Sequence, residues 1–304
     1  VRVYTHPACL LHDTGPGHPE RPDRLAVVLE ALREAFPDTL DWREAPRATR
    51  AQLLRAHAPS LVDLVLDTTA ERTVALDPDT LLSPRSAEAA LRAAGAAVTA
   101  VDDVMRDGAP RAFCAVRPPG HHATRDTAMG FCLFNNVAVA AMHALAAHGL
   151  ARIAIADFDV HHGNGTQAIF VREPRVLFAS SHQMPLYPDS GHPGERGVGN
   201  ILNAPLAPGA DGTAFRAAWR EVLLPALDVF APELLFISAG FDAHARDPLA
   251  QLALAADDYG WITRELVAIA DRHARGRVVS LLEGGYDLQA LRESSVAHVE
   301  ALSG

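Results

Sequence analysis

An α/β fold, a mostly parallel sheet with helices on both faces, is what the order of apolar segments predicts. Short runs rich in apolar and β-branched residues alternate with longer stretches of helical spacing along all 304 residues. No repeat or low-complexity linker interrupts them, so one domain over 1–304 is expected. Polar residues crowd the downstream end of four of the short runs, where open α/β sheets gather their ligands.

The expected strands are 112–116 (AFCAV), 152–156 (RIAIA), 175–180 (RVLFAS), 233–238 (ELLFIS) and 277–282 (RVVSLL), each short and bounded by turn residues. The clearest helices are 86–106, 135–148, 213–230, 256–274 and 287–301. Asp257 and Asp258 suit a helix N-terminus, and Gly149 and Gly276 suit helix ends.

Composition excludes several function classes. The formal charge of −10 lacks the basic surface that phosphate backbones require, so nucleic acid is not an expected partner. No apolar run approaches the roughly 20 residues of a membrane span. The opening VRVYTHPACLLHD lacks a secretory pattern, so a cytoplasmic protein is expected. Cys9, Cys114 and Cys132 form no CxxC pair and suit reduced thiols. All 27 basic residues are arginine, which removes every mechanism that needs a lysine.

The strand ends carry the chemistry. RIAIA runs into DFDVHHGNG, ELLFIS into AGFDAH, RVVSLL into EGGYD and AFCAV into RPPGHHA. Asp157, Asp159 and His161 are spaced by two, so a continuing strand would point them to one face. Oxygen and imidazole donors without thiolate suit a catalytic divalent metal, with Asp242 as a further carboxylate and one position open for water or substrate. Singly, each aspartate reads as a cap or turn former and each histidine as a structural one. Their joint arrival at one rim is what points to a site.

RPPGHHA at 117–123, GFCLFNN at 130–136, DFDVHHGNGT at 157–166, SAGFDAH at 238–244 and EGGY at 283–286 resemble, in order, the signatures of histone deacetylases, and the likeness begins at HPERPDRL, 18–25. It is nearest to the class II and bacterial deacetylase-like branches. The resemblance implies the arginase–deacetylase α/β fold, zinc on Asp159, His161 and Asp242, and Asp157 behind the ligands. It also implies a structural potassium ion near the backbone of Asp157, Asp159 and His161, with Ser180 and Ser181 as further candidates.

Amide hydrolysis needs an activated water, a stabilised oxyanion and a proton for the leaving amine. His121 and His122 are the candidate proton carriers, and Tyr286, after the flexible pair Gly284 and Gly285, is the candidate oxyanion donor. By resemblance His121 pairs with Asp157 and His122 with Asn164. A carboxylate stabilises imidazolium and an amide does not, so the two pKa values should separate. His121 is then the expected cation, and His122 the general base and later acid.

The resemblance further implies that Gly130, Phe131 and Tyr187 line an acyl-chain tunnel, that Asp79 accepts the substrate amide N–H at its rim, and that Arg24 lies near its inner end. Leu249 overlooks the mouth, where the polyamine-selective branch carries glutamate. An acylated lysine or small acylated amine is therefore the expected substrate. An acetylpolyamine amidohydrolase, an arginase-like two-metal enzyme and a non-catalytic acyl-lysine binder stand as alternatives. His244 disfavours the two-metal reading because a second carboxylate is wanted there.

Overall fold

A computed structural model describes residues 1–68, 72–106 and 110–304. In chain order, β1 (Arg2–Thr5), α1 (Pro22–Ala35), β2 (Asp41–Glu44), α2 (Arg50–Leu53) and α3 (Pro59–Asp67) lead to a small antiparallel hairpin, β3 (Val74–Ala75) and β4 (Leu81–Leu82). Next come α4 (Ser86–Met105), β5 (Arg111–Cys114), α5 (Asn136–Ala147), β6 (Ile153–Asp157), α6 (Asn164–Phe170), β7 (Val176–Gln183) and β8 (Ile201–Leu206). The chain finishes with α7 (Gly212–Ala218), α8 (Leu224–Phe230), β9 (Leu234–Ala239), α9 (Ala256–His273), β10 (Val278–Leu282) and α10 (Leu288–Ser303).

Among the described residues, eight strands form one sheet in the order β2-β1-β5-β10-β9-β6-β7-β8, every pair parallel. The first strands and β5 build one side, β6 to β8 build the other, and β9 and β10 return to fill the middle. Every residue of β6, β7, β9 and β10 is buried, as expected of parallel strands covered on both faces. Helices α4 and α5 pack on one another, as do α1, α10 and α9, and both groups reach β5. The sheet thus lies between two helical layers.

Local chemistry explains the helices. Pro22 and Asp23 open α1, and Asn135 caps α5 by accepting from Ala138 N–H. In α4 the small buried residues Ala90, Ala93, Ala94, Ala97 and Val101 recur at helical spacing, which permits close packing on α5. Asp258 at the start of α9 accepts from Ala255 N–H. Gly149 and Gly276 adopt positive φ just past α5 and α9, the conformation their helix ends require.

Two expectations are corrected. The stretch 213–230 is not one regular helix, because a π turn over Trp219–Leu223 separates α7 from α8. Pro225 lacks an N–H and crowds the preceding turn, which favours the wider register there. The second concerns β6, which ends at Asp157, so Asp159 and His161 do not continue the strand. They lie on the following turns, where Asp159 N–H donates to Asp157 Oδ1 (3.1 Å) and His161 N–H to Asp159 Oδ1 (2.9 Å). Side-chain acceptors replace ladder bonds, so local turns set where these side chains point.

Register then positions the site. Asp157 pairs with Ser238, Leu282 with Ala239 and Leu281 with Cys114, so the carboxyl ends of four adjacent strands are level. The segments that follow them emerge side by side at the point where strand order reverses.

Candidate metal centre and pocket

Asp159, His161 and Asp242 come together at that rim, all buried, with one potential ligand atom from each within 4.8 Å of the others. His161 Nδ1 lies 3.1 Å from Asp159 Oδ1 and 3.2 Å from Asp242 Oδ2. The remaining oxygens are anchored: Asp242 Oδ1 accepts from Val160 N–H (2.9 Å) and Asp159 Oδ2 from Gly284 N–H (2.8 Å). Asp242 Oδ2, by contrast, is buried and accepts no aligned hydrogen bond among the described residues, the nearby His161 Nδ1 included. A buried carboxylate oxygen without a partner is costly, and a divalent cation would satisfy it. Gly284 leaves room there, since a Cβ on it would lie 2.0 Å from Asp242 Oδ2. This glycine is therefore required for space rather than for flexibility, and the donor set fits zinc.

A second cluster of potential ligands, Asp102, His143 and His148, belongs to α4 and the end of α5. Arg55 Nη1 donates to His143 Nδ1 (2.7 Å), so His143 carries its proton on Nε2 and donates to Asp102 Oδ1 (2.8 Å). That tautomer leaves His143 no free lone pair for a metal.

The two adjacent histidines sit in different environments. His121 Nδ1 donates to Asp157 Oδ2 (3.0 Å) and His122 Nδ1 to Asn164 Oδ1 (2.7 Å). Burial would depress His121, but the carboxylates of Asp159 and Asp157 raise its pKa to about 10. Burial pushes His122 well below its ordinary value, and the charge of His121 pushes the same way. Donation from Nδ1 leaves His122 Nε2 with its lone pair free.

A cavity of about 250 Å³ opens over this floor, with His122, His161 and Tyr286 in its lining. Gly130, Phe131 and Tyr187 line it too, and so do Asp79, Leu249 and Leu186. Tyr187, 40% exposed, meets His122 edge-on at 5.2 Å between ring centroids. Phe131 meets Tyr286 in the same manner at 5.8 Å. Gly130 serves the histidine, because a Cβ there would lie 2.5 Å from His122 Cδ2. Burial drives the Tyr286 hydroxyl well above its ordinary pKa against the opposing charge of Arg24, so it remains a neutral donor.

Arg24 is internal. It is fully buried, donates to Glu20 Oε1 (2.9 Å), Gly285 O (2.5 Å) and Glu283 O (2.6 Å), and lies 4.7 Å over the Tyr286 ring. Ser180 stands in register with Asp157, its hydroxyl 2.9 Å from His182 Nδ1, while Ser181 Oγ accepts from the Trp219 indole (2.9 Å).

Several supporting residues escaped the sequence reading. Buried Glu283 accepts from the amides of Gly120 (2.7 Å) and His121 (3.1 Å), fixing the histidine loop to the end of β10. His18 Nε2 donates to Asp79 O (3.0 Å) and its ring meets Phe131 at 4.8 Å. Thr80 Oγ1 accepts from Phe131 N–H (3.0 Å), holding a residue at φ 68°. Glu283 and His18 stood inside the quoted motifs, but their partners are distant in sequence; nothing at Thr80 signalled its role.

Comparison with known proteins agrees with this geometry. The family model for the histone deacetylase domain matches residues 18–302. The chain is 39% identical over 322 residues to a histone deacetylase-like amidohydrolase of Pseudomonas aeruginosa, covering 97% of this chain and 84% of that protein. It is 38% identical over 310 residues to a probable deacetylase of Archaeoglobus fulgidus, covering 99% and 86%. The crystal structure of the HDA15 HD domain superposes with a TM-score of 0.94 at 36% identity, covering 99% of this chain and 88% of that one. The matched span takes in every strand end that feeds the pocket, and the chain belongs to the histone deacetylase family of deacetylases and amidohydrolases.

Proposed function

We propose that residues 1–304 form a single catalytic domain that hydrolyses an N-acyl amide with zinc, acting on acetyl-lysine-type side chains or small acylated amines. The observation that carries this reading is the buried Asp242 Oδ2, which accepts no hydrogen bond among the described residues, beside His161 and Asp159 at the base of a pocket lined by His122 and Tyr286. Asp159, His161 and Asp242 would hold the ion. When bound there, zinc lowers the pKa of water to roughly 7 and polarises the acyl carbonyl.

The protein's own groups do the rest. His122, neutral with a free Nε2, takes the proton from water and returns it to the departing amine nitrogen. His121, paired with Asp157, stays cationic and adds positive potential beside the reacting carbonyl. Tyr286 donates its hydroxyl to the developing oxyanion. Phe131 and Tyr187 flank the acyl-bearing chain, and Asp79 accepts the amide N–H at the rim. The products are a carboxylic acid and a free amine.

The family relationship supports a deacetylase or amidohydrolase, and His244 is not grouped with Asp159, His161 and Asp242. By the family resemblance we also propose a structural potassium ion at the backbone of Asp157, Asp159 and His161 with Ser180 and Ser181, Ser180 standing in register with Asp157. Three free, buried cysteines are consistent with a cytoplasmic setting, which we propose; among the described residues no helix is long and apolar enough to cross a membrane.

The decisive experiment measures zinc content and then turnover on a panel of acyl-lysine peptides, acylpolyamines and small acylated amides. About one zinc per chain is expected, with acid released from the acyl-lysine members. Asp242→Ala should lose both metal and turnover. Full activity in wild-type protein stripped of metal would overturn the reading.

A further inference from the structure

Tyr286 stands on a backbone with little stiffness of its own. It follows Gly284 and Gly285, and Gly285 adopts φ 119°, a region open to glycine and few other residues. Arg24 holds the carbonyls of this loop from the protein interior. The amide side is held by a different segment, the loop after β9. There Asp247 Oδ2 accepts from Tyr286 N–H at 2.7 Å and from Asp287 N–H at 3.4 Å. The other oxygen, Oδ1, accepts from Leu249 N–H at 3.0 Å.

Asp247 is only 7% exposed and, among the described residues, has no cationic partner. Its neighbour Arg246 turns instead toward Glu293 (2.7 Å) and Asp287 (3.5 Å). Burying a carboxylate without a counter-ion costs free energy, and ordinary loop closure could be achieved with an amide or hydroxyl. What the carboxylate adds is two oxygens acting at once on two backbone segments of the same pocket. One segment carries Tyr286 and the other carries Leu249, and both side chains line the cavity.

We infer that Asp247 is a positioning residue: its carboxylate fixes the backbone of Tyr286 so that the phenol is held where the oxyanion develops. The inference rests on the assignment of Tyr286 as oxyanion donor. A donor displaced by about 1 Å can cost 10²-fold in rate, because preorganised hydrogen bonds weaken steeply with misplacement.

The test is a double-mutant cycle of Asp247→Asn, Tyr286→Phe and the pair, in zinc-loaded full-length protein with an N-acetyl-lysine peptide. Asn is isosteric but turns an NH2 group toward one of the amides that the carboxylate now serves. The expected result is a fall in kcat of about 10- to 10²-fold for Asp247→Asn, little change in KM, and no further loss in the Tyr286→Phe background. Amide hydrogen exchange at Tyr286 and Asp287 should accelerate. Losses that multiply across the cycle, or a change confined to KM, would overturn the role of Asp247 while leaving Tyr286 in place. Full kcat in Tyr286→Phe alone would remove the tyrosine from the reaction and Asp247 with it. Should Asp247→Asn not fold, Asp247→Ser, with a single shorter acceptor, enters the same cycle and is read by the same outcomes.

Discussion

Asn164 Oδ1 receives the Nδ1 proton of His122 over 2.7 Å, an amide standing where a carboxylate would change the charge of the ring. With no carboxylate at that position, burial and the charge of His121 keep His122 neutral, and the pH behaviour of the enzyme should depend on this. In Asn164→Asp the new carboxylate would stabilise the imidazolium and raise the pKa of His122. Because the base must be neutral, activity would then fall away at a higher pH on the acid side of the kcat/KM profile. An acid limb that stays where it is in the wild type would contradict the assignment.

The two histidines should also differ when deleted. In the proposed mechanism His122→Ala removes the group that moves the proton, whereas His121→Ala removes a paired cation, so His122→Ala should show the larger loss of kcat at saturating zinc. Equal or reversed losses would exchange their roles.

Tyr286→Phe should bind zinc as the wild type does and turn over about 10²–10³-fold more slowly, the range for loss of one oxyanion donor. Metal content and kcat measured on the same preparation separate this from a damaged site. Undiminished turnover would exclude the hydroxyl from the reaction.

Leu249 should set substrate choice. An apolar side chain at the cavity wall gives a polyamine's second ammonium no favourable partner, and removing that ammonium from water costs free energy. Leu249→Glu should therefore raise kcat/KM for acetylspermidine relative to acetyl-lysine peptide by about 1–3 kcal/mol. A wild type that already favours acetylpolyamines, with no response to the glutamate, would shift the reading to a polyamine amidohydrolase.

The buried ion cluster beneath the pocket should govern acid stability. Glu20 accepts from Arg24 (2.9 Å) and from Arg117 Nη2 (2.7 Å), and all three residues are fully buried. Burial alone would raise the Glu20 pKa, but the Arg117 and Arg24 guanidiniums bring it down to about 2. A depressed carboxylate contributes stability above its ordinary pKa of 4.5, and that contribution is lost as pH falls from there through about 2. Glu20→Gln leaves two buried guanidiniums short of charge and should cost about 3–5 kcal/mol at neutral pH. It should also flatten the loss of stability below pH 4.5. Denaturant titrations across that range check both, and unchanged stability at neutral pH would refute the role of the cluster.

Where the signal is local, it was legible without a structure. The strands of the core are short apolar runs, and all five of those expected lie within a few residues of β5, β6, β7, β9 and β10. The edge strands β2 and β8, and β1 between β2 and β5, were not anticipated. β2, Asp-Trp-Arg-Glu, is exposed or half-buried throughout, so no apolar run marks it. Helix α1 begins inside HPERPDRL, and its apolar run Leu25–Leu29 is too short to separate helix from strand by periodicity alone.

The residue types and order of the site were likewise set in the chain: aspartate, histidine and tyrosine placed just past buried strands. What only the tertiary structure decided is how those segments meet. A continued strand would have aimed Asp157 with Asp159 and His161; instead β6 stops, and turns made by aspartate side chains send Asp157 to His121 and Asp159 to the group it forms with His161 and Asp242. Glu283, His18 and Asp247 act on backbone amides or carbonyls of segments that parallel strand register brings alongside. Backbone groups are the same at every residue, so no pattern of side chains along one chain can announce which distant amide a buried carboxylate will hold. That choice is made by packing, through the free energy of leaving no buried polar group unpaired.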